Sequence, residues 1–283
     1  VQLSTDNDFE TLLNSNSKVV VKFFADWCGS CKLFAPKFKR HSNDEANSDI
    51  LFLEVNAEEN EKARKLGGVD NLPYLASFKN GVLLEGTGQY KESTLRNTDY
   101  KTGKVTEQIK LEDKYFGEGI TVLKDKIYQL TWKEKTGFIY DAKTFKLEKT
   151  FSFETEGWGI TNDGEKLYMS DGSEKIYILN PETFKVEDYI NVYTNGAKIE
   201  AVNEMEWING KIWANIYQKD AIAVINPKTG AVENVINCHD LRSKVTQHQE
   251  LDAFNGIAYN PATKTYFVTG KNWDKTFEIS ITE

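Results

Sequence analysis

An α/β domain followed by an all-β array of propeller blades is the architecture this chain predicts, and two observations carry it. A turn of nearly one spelling closes a strand four times, as Asp99-Tyr-Lys-Thr-Gly-Lys-Val, Asp141-Ala-Lys-Thr-Phe-Lys-Leu, Asn180-Pro-Glu-Thr-Phe-Lys-Val and Asn226-Pro-Lys-Thr-Gly-Ala-Val, at intervals of 42, 39 and 46 residues. A period of roughly 40 to 50 residues with strand-like content marks a β-propeller, whose small antiparallel sheets cannot bury both faces alone. Ahead of this array, the apolar run Val19 to Phe24, broken only by Lys22, leads straight into Trp27-Cys28-Gly29-Ser30-Cys31-Lys32.

At 283 residues the chain has length for about two domains, and 40% hydrophobic residues is enough for ordinary cores. The net charge of −8, with no basic block, argues against a nucleic-acid partner, which requires a positive stripe to displace counterions. No run of about 18 apolar residues occurs, so no membrane association is expected. No basic segment leads into an apolar stretch at the front, so no signal peptide is visible in the chain. Two of the three cysteines share one C-x-x-C, which reads as a redox pair plus an isolated Cys238.

Taken in order, residues 5 to 15 open with capping residues and continue with helical spacing, and Lys18 to Phe24 is a buried strand. From Cys31 the spacing of Leu33, Phe34 and Phe38 predicts a helix kinked at Pro36. Ile50 to Val55 is a second buried strand, and a helix follows through Ala63 and Leu66. A C-x-x-C can also be half of a zinc site, but no second Cys or His pair has ligand spacing here.

These residues resemble the thioredoxin family over about 1 to 85, through Trp27-Cys28-Gly29-Ser30-Cys31-Lys32, Pro36, Val55-Asn56-Ala57 and Leu72-Pro73-Tyr74. The resemblance implies that Pro73 is a cis proline facing the disulfide and that Trp27 borders the substrate. Two intervening residues place both thiols on the first turn of a helix, where free N–H groups and the macrodipole stabilise a thiolate. Cys28, at the exposed end, would attack a substrate disulfide and Cys31 would resolve the mixed disulfide. Ser30 replaces the proline usual in the family, and Lys22 stands where relatives commonly bury an acid, so thiol exchange is expected to persist with altered rates.

The blades open with Phe116-Gly-Glu-Gly-Ile-Thr121, Glu156-Gly-Trp-Gly-Ile-Thr161, Asn203-Glu-Met-Glu-Trp207 and Phe254-Asn-Gly-Ile-Ala-Tyr259, each followed by a β-rich run. The first strand of a blade lines the central channel, so polar groups in these openings converge there. Glycines beside the axis also serve close strand packing, and aromatic residues also fill space between blades. Glu118, Glu156, Asn203 and Asn255 are groups that a purely structural channel does not need.

From about residue 82 to the end the chain resembles the plant and bacterial glutaminyl cyclases, or glutamine cyclotransferases. The strings that carry it include Glu85-Gly-Thr-Gly-Gln-Tyr90, Phe116-Gly-Glu-Gly119, Leu130-Thr-Trp132, Glu156-Gly-Trp-Gly159, Met169-Ser-Asp-Gly172, Asn203-Glu-Met-Glu206, Asn255-Gly-Ile-Ala258 and Gly270-Lys-Asn-Trp273. The resemblance implies five blades and a metal-independent acyl transfer with no cofactor, turning N-terminal glutamine into pyroglutamate with loss of ammonia. His41, His239 and His248 have no ligand spacing, in keeping with that. By position, Glu118 would shuttle the proton, Asn203 and Lys271 would hold the substrate and stabilise charge on the amide oxygen, and Trp132 and Trp158 would form aromatic walls. Burial against those walls would raise the Glu118 pKa. Two departures stand out: Tyr217 takes the place of a third channel tryptophan, and the family's Phe-Thr-Gln-Gly segment is absent.

Aligned back from Glu85, that segment's place is held by Leu72-Pro73-Tyr74-Leu75, which the thioredoxin resemblance also claims. Tyr74 to Gln89 reads as one hairpin with Asn80-Gly81 at its turn. The expectation is that the hairpin joins the thioredoxin sheet up to about Gly86, giving domains 1–86 and 87–283 with residues 72–95 contested, and that the propeller's first blade is incomplete; the alternative is that the propeller captures the hairpin. No flexible linker separates the halves.

The leading functional expectation is a glutaminyl-peptide cyclotransferase fused to a thioredoxin-like redox domain. Its partners would be peptides or proteins with N-terminal glutamine, and disulfide-bearing proteins or a thioredoxin reductase. A thiol-disulfide oxidoreductase using the propeller as a binding platform, and a non-catalytic scaffold, are the alternatives. The propeller's analogy implies an extracytoplasmic compartment and the thioredoxin-like domain a cytoplasmic one.

Overall fold

A computed structural model describes residues 1–281 apart from 17, 67, 68, 70, 71, 73, 80, 81, 101 and 261–263. The chain divides into two compact units, Val1–Val82 with Asp99–Gly103, and Leu83–Thr98 with Lys104–Glu283. No helix among the described residues is long and apolar enough to cross a membrane.

The first unit runs β1 (Gln2–Leu3), α1 (Phe9–Ser15), β2 (Lys18–Phe24), α2 (Gly29–Ser42), β3 (Leu51–Asn56), α3 (Glu61–Leu66) and β4 (Tyr74–Lys79). Its sheet has the order β1-β3-β2-β4, with β1 and β2 parallel to β3 and β4 antiparallel to β2. The alternation of β2 explains its two faces. Val19, Val21 and Phe23 pack with Phe9, Leu53, Val55 and Ala63. Lys22, on the other face, is 3% exposed, pairs with Glu54, and lies 5.5 Å and 5.6 Å from the Phe24 and Phe38 rings. A carboxylate and two ring faces stand in for the water that burial removes from this side chain.

The second unit is a five-bladed propeller. Its sheets are β5 (Val82–Thr87), β6 (Thr94–Asp99) and β7 (Val105–Lys110); β8 (Gly117–Leu123), β9 (Lys126–Thr131), β10 (Thr136–Asp141) and β11 (Leu147–Ser152); and β12 (Ile160–Asn162), β13 (Leu167–Ser170), β14 (Lys175–Leu179) and β15 (Val186–Asn191). After a short hairpin of β16 (Tyr193–Thr194) and β17 (Ala197–Lys198) come β18 (Val202–Ile208), β19 (Lys211–Ile216), β20 (Ala221–Ile225) and β21 (Val232–Asn237). The last blade is β22 (Phe254–Asn260), β23 (Thr265–Gly270) and β24 (Phe277–Ile279).

In the blades that carry it the repeated turn has one job, joining the third strand to the fourth: β10 to β11, β14 to β15 and β20 to β21. Its first side chain accepts from the amide three residues on, at 2.8 Å for Asp141 and Thr144 and 3.1 Å for Asn180 and Thr183. The fifth residue, Gly103, Phe145, Phe184 or Gly230, takes a positive φ of 57° to 80° and donates back to the first carbonyl. Asp and Asn open this turn because their side chains replace backbone acceptors. The two phenylalanines bear the left-handed conformation because packing compensates it, Phe184 stacking on Phe151 at 4.3 Å and Phe145 sitting in the core.

Between β6 and β7 lies the first copy of that turn, so these are third and fourth strands and β5 is a second strand. The first blade therefore has three strands among the described residues and lacks the innermost one. The expected hairpin is also divided rather than shared: β4 pairs with β2 in the first unit, while β5 pairs with β6 in the second. The change of unit falls between Val82 and Leu83, ahead of the expected 86. Side chains explain where β5 goes. Leu84 packs with Leu95, Ile127 and Phe138, Glu85 accepts from Arg96 at 3.0 Å and from Thr98, and the Thr87 and Thr94 hydroxyls meet at 2.8 Å. Arg96 itself lies in strand β6.

Candidate active site

Each blade brings the start of its first strand beside the end of its second, because the two are antiparallel. Gly117 faces Thr131, Ile160 faces Met169, Val202 faces Ile216 and Phe254 faces Gly270. In three of these blades the residues next along the chain thus meet at one rim of the ring, Glu118 with Trp132, Asn203 with Tyr217 and Asn255 with Lys271; in the other, Trp158 precedes Ile160 by two residues and its backbone N–H donates to Ser170 O at 3.0 Å. Backbone bonds stitch the rim together, from Trp132 N to Phe116 O at 3.0 Å, Gly157 N to Trp132 O at 3.0 Å and Gly119 N to Trp158 O at 2.8 Å. The glycines are needed for this approach. A Cβ on Gly119 would lie 2.7 Å from Ile160 N and 2.8 Å from Trp158 O.

Glu156 organises the walls, accepting from Trp132 Nε1 at 2.7 Å and Trp158 Nε1 at 3.0 Å through one carboxylate oxygen. Tyr217 meets Trp158 edge to face at 5.7 Å, and the Lys271 ammonium stands 5.5 Å from the Tyr217 ring. Tyr217 thus occupies an aromatic place in the wall.

Glu118 keeps part of its surface open to the channel, yet protein packs closely enough around it for desolvation to dominate its chemistry. Burial raises its pKa from 4.5 to about 7; the Lys271 charge opposes the rise, and the charges of Glu156 and Glu134 add to it. Two further carboxyls line β18. Glu204 is pushed well up by burial, then by Glu206 and Glu118, against Lys271. Burial likewise lifts Glu206 to about 7, opposed by its bond from Tyr259 N at 3.3 Å.

Two amide oxygens here lack partners: Asn203 Oδ1, on a residue 3% exposed, and Asn255 Oδ1. A buried acceptor without a donor costs about 1–3 kcal/mol. Asn203 is fixed through its backbone, its carbonyl accepting from Ser170 Oγ at 2.9 Å, while that same hydroxyl oxygen accepts from Gly159 N at 2.8 Å.

The structure thus brings Glu118, Asn203, Lys271, Trp132, Trp158, Glu156, Tyr217 and Asn255 to one rim. Glu134, Tyr90 and Glu204 were not singled out from sequence. Glu134 Oε1 accepts from the Tyr90 hydroxyl at 2.9 Å and Oε2 from Phe116 N at 3.3 Å. Its context, Lys133-Glu134-Lys135, looks like any solvated charged turn.

In the first unit Cys28 and Cys31 form a disulfide at the N-terminus of α2. Cys28 is the N-cap residue, its Sγ accepting from Cys31 N at 3.2 Å. Cys28 is not the exposed end that was expected, since it is 3% and Cys31 2% exposed, both packed with Ala25, Phe24 and Leu72. Trp27 supplies the open surface, 70% exposed with its Nε1 donating to Glu58 at 2.7 Å. Pro73 lies outside the described residues.

Comparison with known proteins divides the chain in the same way. A family model for glutamine cyclotransferase matches residues 75–281 and one for thioredoxin matches 1–98, so both claim 75–98. The glutaminyl-peptide cyclotransferase of Arabidopsis thaliana is 39% identical over 205 residues, 71% of this chain; the chain spans 64% of that relative's length. Thioredoxin-1 of Schizosaccharomyces pombe is 37% identical over 84 residues, covering 30% of this chain and 80% of the relative. The crystal structure of Myxococcus xanthus glutaminyl cyclase superposes with a TM-score of 0.64 at 31% identity, covering 68% of this chain and 84% of the other.

Proposed function

We propose a function for a chain that belongs to the glutamine cyclotransferase family and carries a thioredoxin-family domain ahead of it: it converts N-terminal glutamine of peptides to pyroglutamate with release of ammonia. The observation that carries the proposal is a carboxyl held near pKa 7 in an indole-walled rim, beside an ammonium and unpartnered buried amide oxygens. In the reaction the α-amine nitrogen bonds to the side-chain amide carbon and the carbonyl oxygen takes negative charge. Glu118 as carboxylate accepts the proton leaving the amine, then delivers it to the amide nitrogen, which departs as ammonia as the carbonyl re-forms. Nothing is oxidised or reduced, and no water is consumed.

Amine and amide belong to one residue, so the site has chiefly to freeze a ring-closing geometry and move a proton. Asn203 Oδ1 and Asn255 Oδ1 accept from the substrate's amine and amide hydrogens, and the Lys271 ammonium stabilises the developing oxyanion. A carboxyl with a pKa of about 7 suits both halves of the transfer, since it is neither too weak a base nor too weak an acid near neutrality. Ammonia release from Gln-Ala-Ala amide tests the reading. Turnover by the wild type and its loss in Glu118→Gln are expected, and undiminished turnover in Glu118→Gln removes the assignment.

The Cys28–Cys31 pair at a helix N-terminus supports a second activity, thiol-disulfide exchange with disulfide-bearing proteins. Reduction of insulin in the presence of dithiothreitol, lost in Cys28→Ser while ammonia release persists, is the expected result.

A further inference from the structure

Beyond the glutamine pocket, an aromatic file leads outward along the rim. Trp132, whose indole N–H is fixed by Glu156, meets Phe116 edge to face at 5.6 Å, and Phe116 meets Tyr90 edge to face at 5.2 Å. Exposure rises along it, Trp132 and Phe116 being half-buried and Tyr90 40% exposed. Glu134 lies beside the file, bonded to the Tyr90 hydroxyl and to Phe116 N. Both of its partners are neutral. Neither Glu134 nor Glu156 has an ion-pair partner among the described residues, and the charges of both reach Glu118 and Tyr90. Glu118, which the reading above sets against the substrate's amine, follows Phe116 by two residues on the same chain segment and feels the charge of Glu134, so the residue after the N-terminal glutamine comes against this wall.

We propose that Tyr90, Phe116, Trp132 and Glu134 form the subsite for the residue following the N-terminal glutamine, and that Glu134 makes it select a cationic side chain over an anionic one. This rests on the cyclotransferase reading above. The stem of a Lys or Arg lies along the ring faces while its charge meets a carboxylate that has only neutral donors. One face of Trp132 is taken by the Lys133 ammonium, 4.0 Å from the ring centroid, so the ligand's stem lies against Phe116 and Tyr90. A Glu in the same place would instead face two like charges.

The test compares kcat/KM for Gln-Lys-Ala, Gln-Glu-Ala and Gln-Ala-Ala amides at low ionic strength. In the wild type the lysine peptide is expected to exceed the glutamate peptide by about tenfold, the effect of one charge pair near a protein surface. In Glu134→Gln, which keeps an oxygen for the Phe116 amide, the ratio should fall to about twofold or less. A wild-type ratio near one, or an unchanged ratio in Glu134→Gln, overturns the subsite. Should that variant not fold, the wild type alone decides, because the ratio must collapse as salt shortens the Debye length from about 30 Å to about 3 Å and a salt-independent ratio refutes Glu134. Calorimetric Kd values for the same peptides read the preference without turnover. Tight, lysine-selective binding with no ammonia released would therefore remove the catalytic reading and keep the subsite, and turnover without selectivity would do the reverse.

Discussion

Replacing Glu118 by glutamine should make the propeller more stable and the enzyme inactive, with a gain that depends on pH in a calculable way. Below pH 4.5 the carboxyl is protonated in both folded and unfolded chains and costs nothing. Between 4.5 and about 7 the unfolded chain releases the proton and the folded one retains it, so stability falls as pH rises; above about 7 the penalty is complete. At 1.36 kcal/mol per pH unit the rise amounts to about 3 kcal/mol, an upper figure because the side chain is partly open to the channel. Glutamine carries no charge and escapes this cost. Urea unfolding of wild type and Glu118→Gln at pH 4, 6 and 8, read by tryptophan fluorescence, measures the difference. Of the six tryptophans only Trp27 lies outside the propeller. The variant's advantage should grow from near zero at pH 4 toward about 3 kcal/mol at pH 8, with ammonia release down by at least about 100-fold. A stability difference flat across that range would refute the buried, proton-holding Glu118.

Three further outcomes follow from the same geometry. Lys271→Met removes the charge that holds Glu118 down, so the acid limb of the kcat/KM profile should move to higher pH, with a lower plateau; an unmoved limb would separate the two residues. Glu156→Ala strands the Trp132 and Trp158 N–H groups and should lower kcat/KM by about 10-fold to 100-fold, following the 1–3 kcal/mol of an orphaned donor. Gly119→Ala forces a methyl against the backbone of the next blade and should cost about 1–3 kcal/mol or more in urea unfolding.

Much of this was legible in the residues because each signal had one structural meaning. The four turn copies exposed the blade period because an Asx side chain and a left-handed fifth residue are both demanded by a tight third-to-fourth strand connection. The strand Lys18–Phe24 was bounded correctly because its apolar run begins at Val19 and the cysteine motif follows its end. The stretch 74–87 was not legible, since it carries strand propensity that satisfies two sheets equally. Long-range packing of Leu84 and the Glu85–Arg96 pair, invisible to local pattern, sends β5 to the propeller. Glu134 was missed for a related reason: its side-chain contacts are to Tyr90, 44 positions away, and to Phe116, 18 away. Glu204 and Glu206 sat inside a recognised string, but nothing in the string distinguishes a buried carboxyl from an exposed one. Reading Cys28 as exposed overlooked the small shell of Ala25, Phe24 and Leu72 around the disulfide.

A peptide whose N-terminal glutamine carries heavy nitrogen only in its side-chain amide offers the most direct test of the chemistry assigned to this rim. Mass spectrometry should show the peptide lighter by one ammonia and the heavy nitrogen in the ammonia released, at a rate that collapses in Glu118→Gln. A product that has gained oxygen in place of that nitrogen, as hydrolysis to glutamate would give, or a peptide left unchanged by the wild type, contradicts the account.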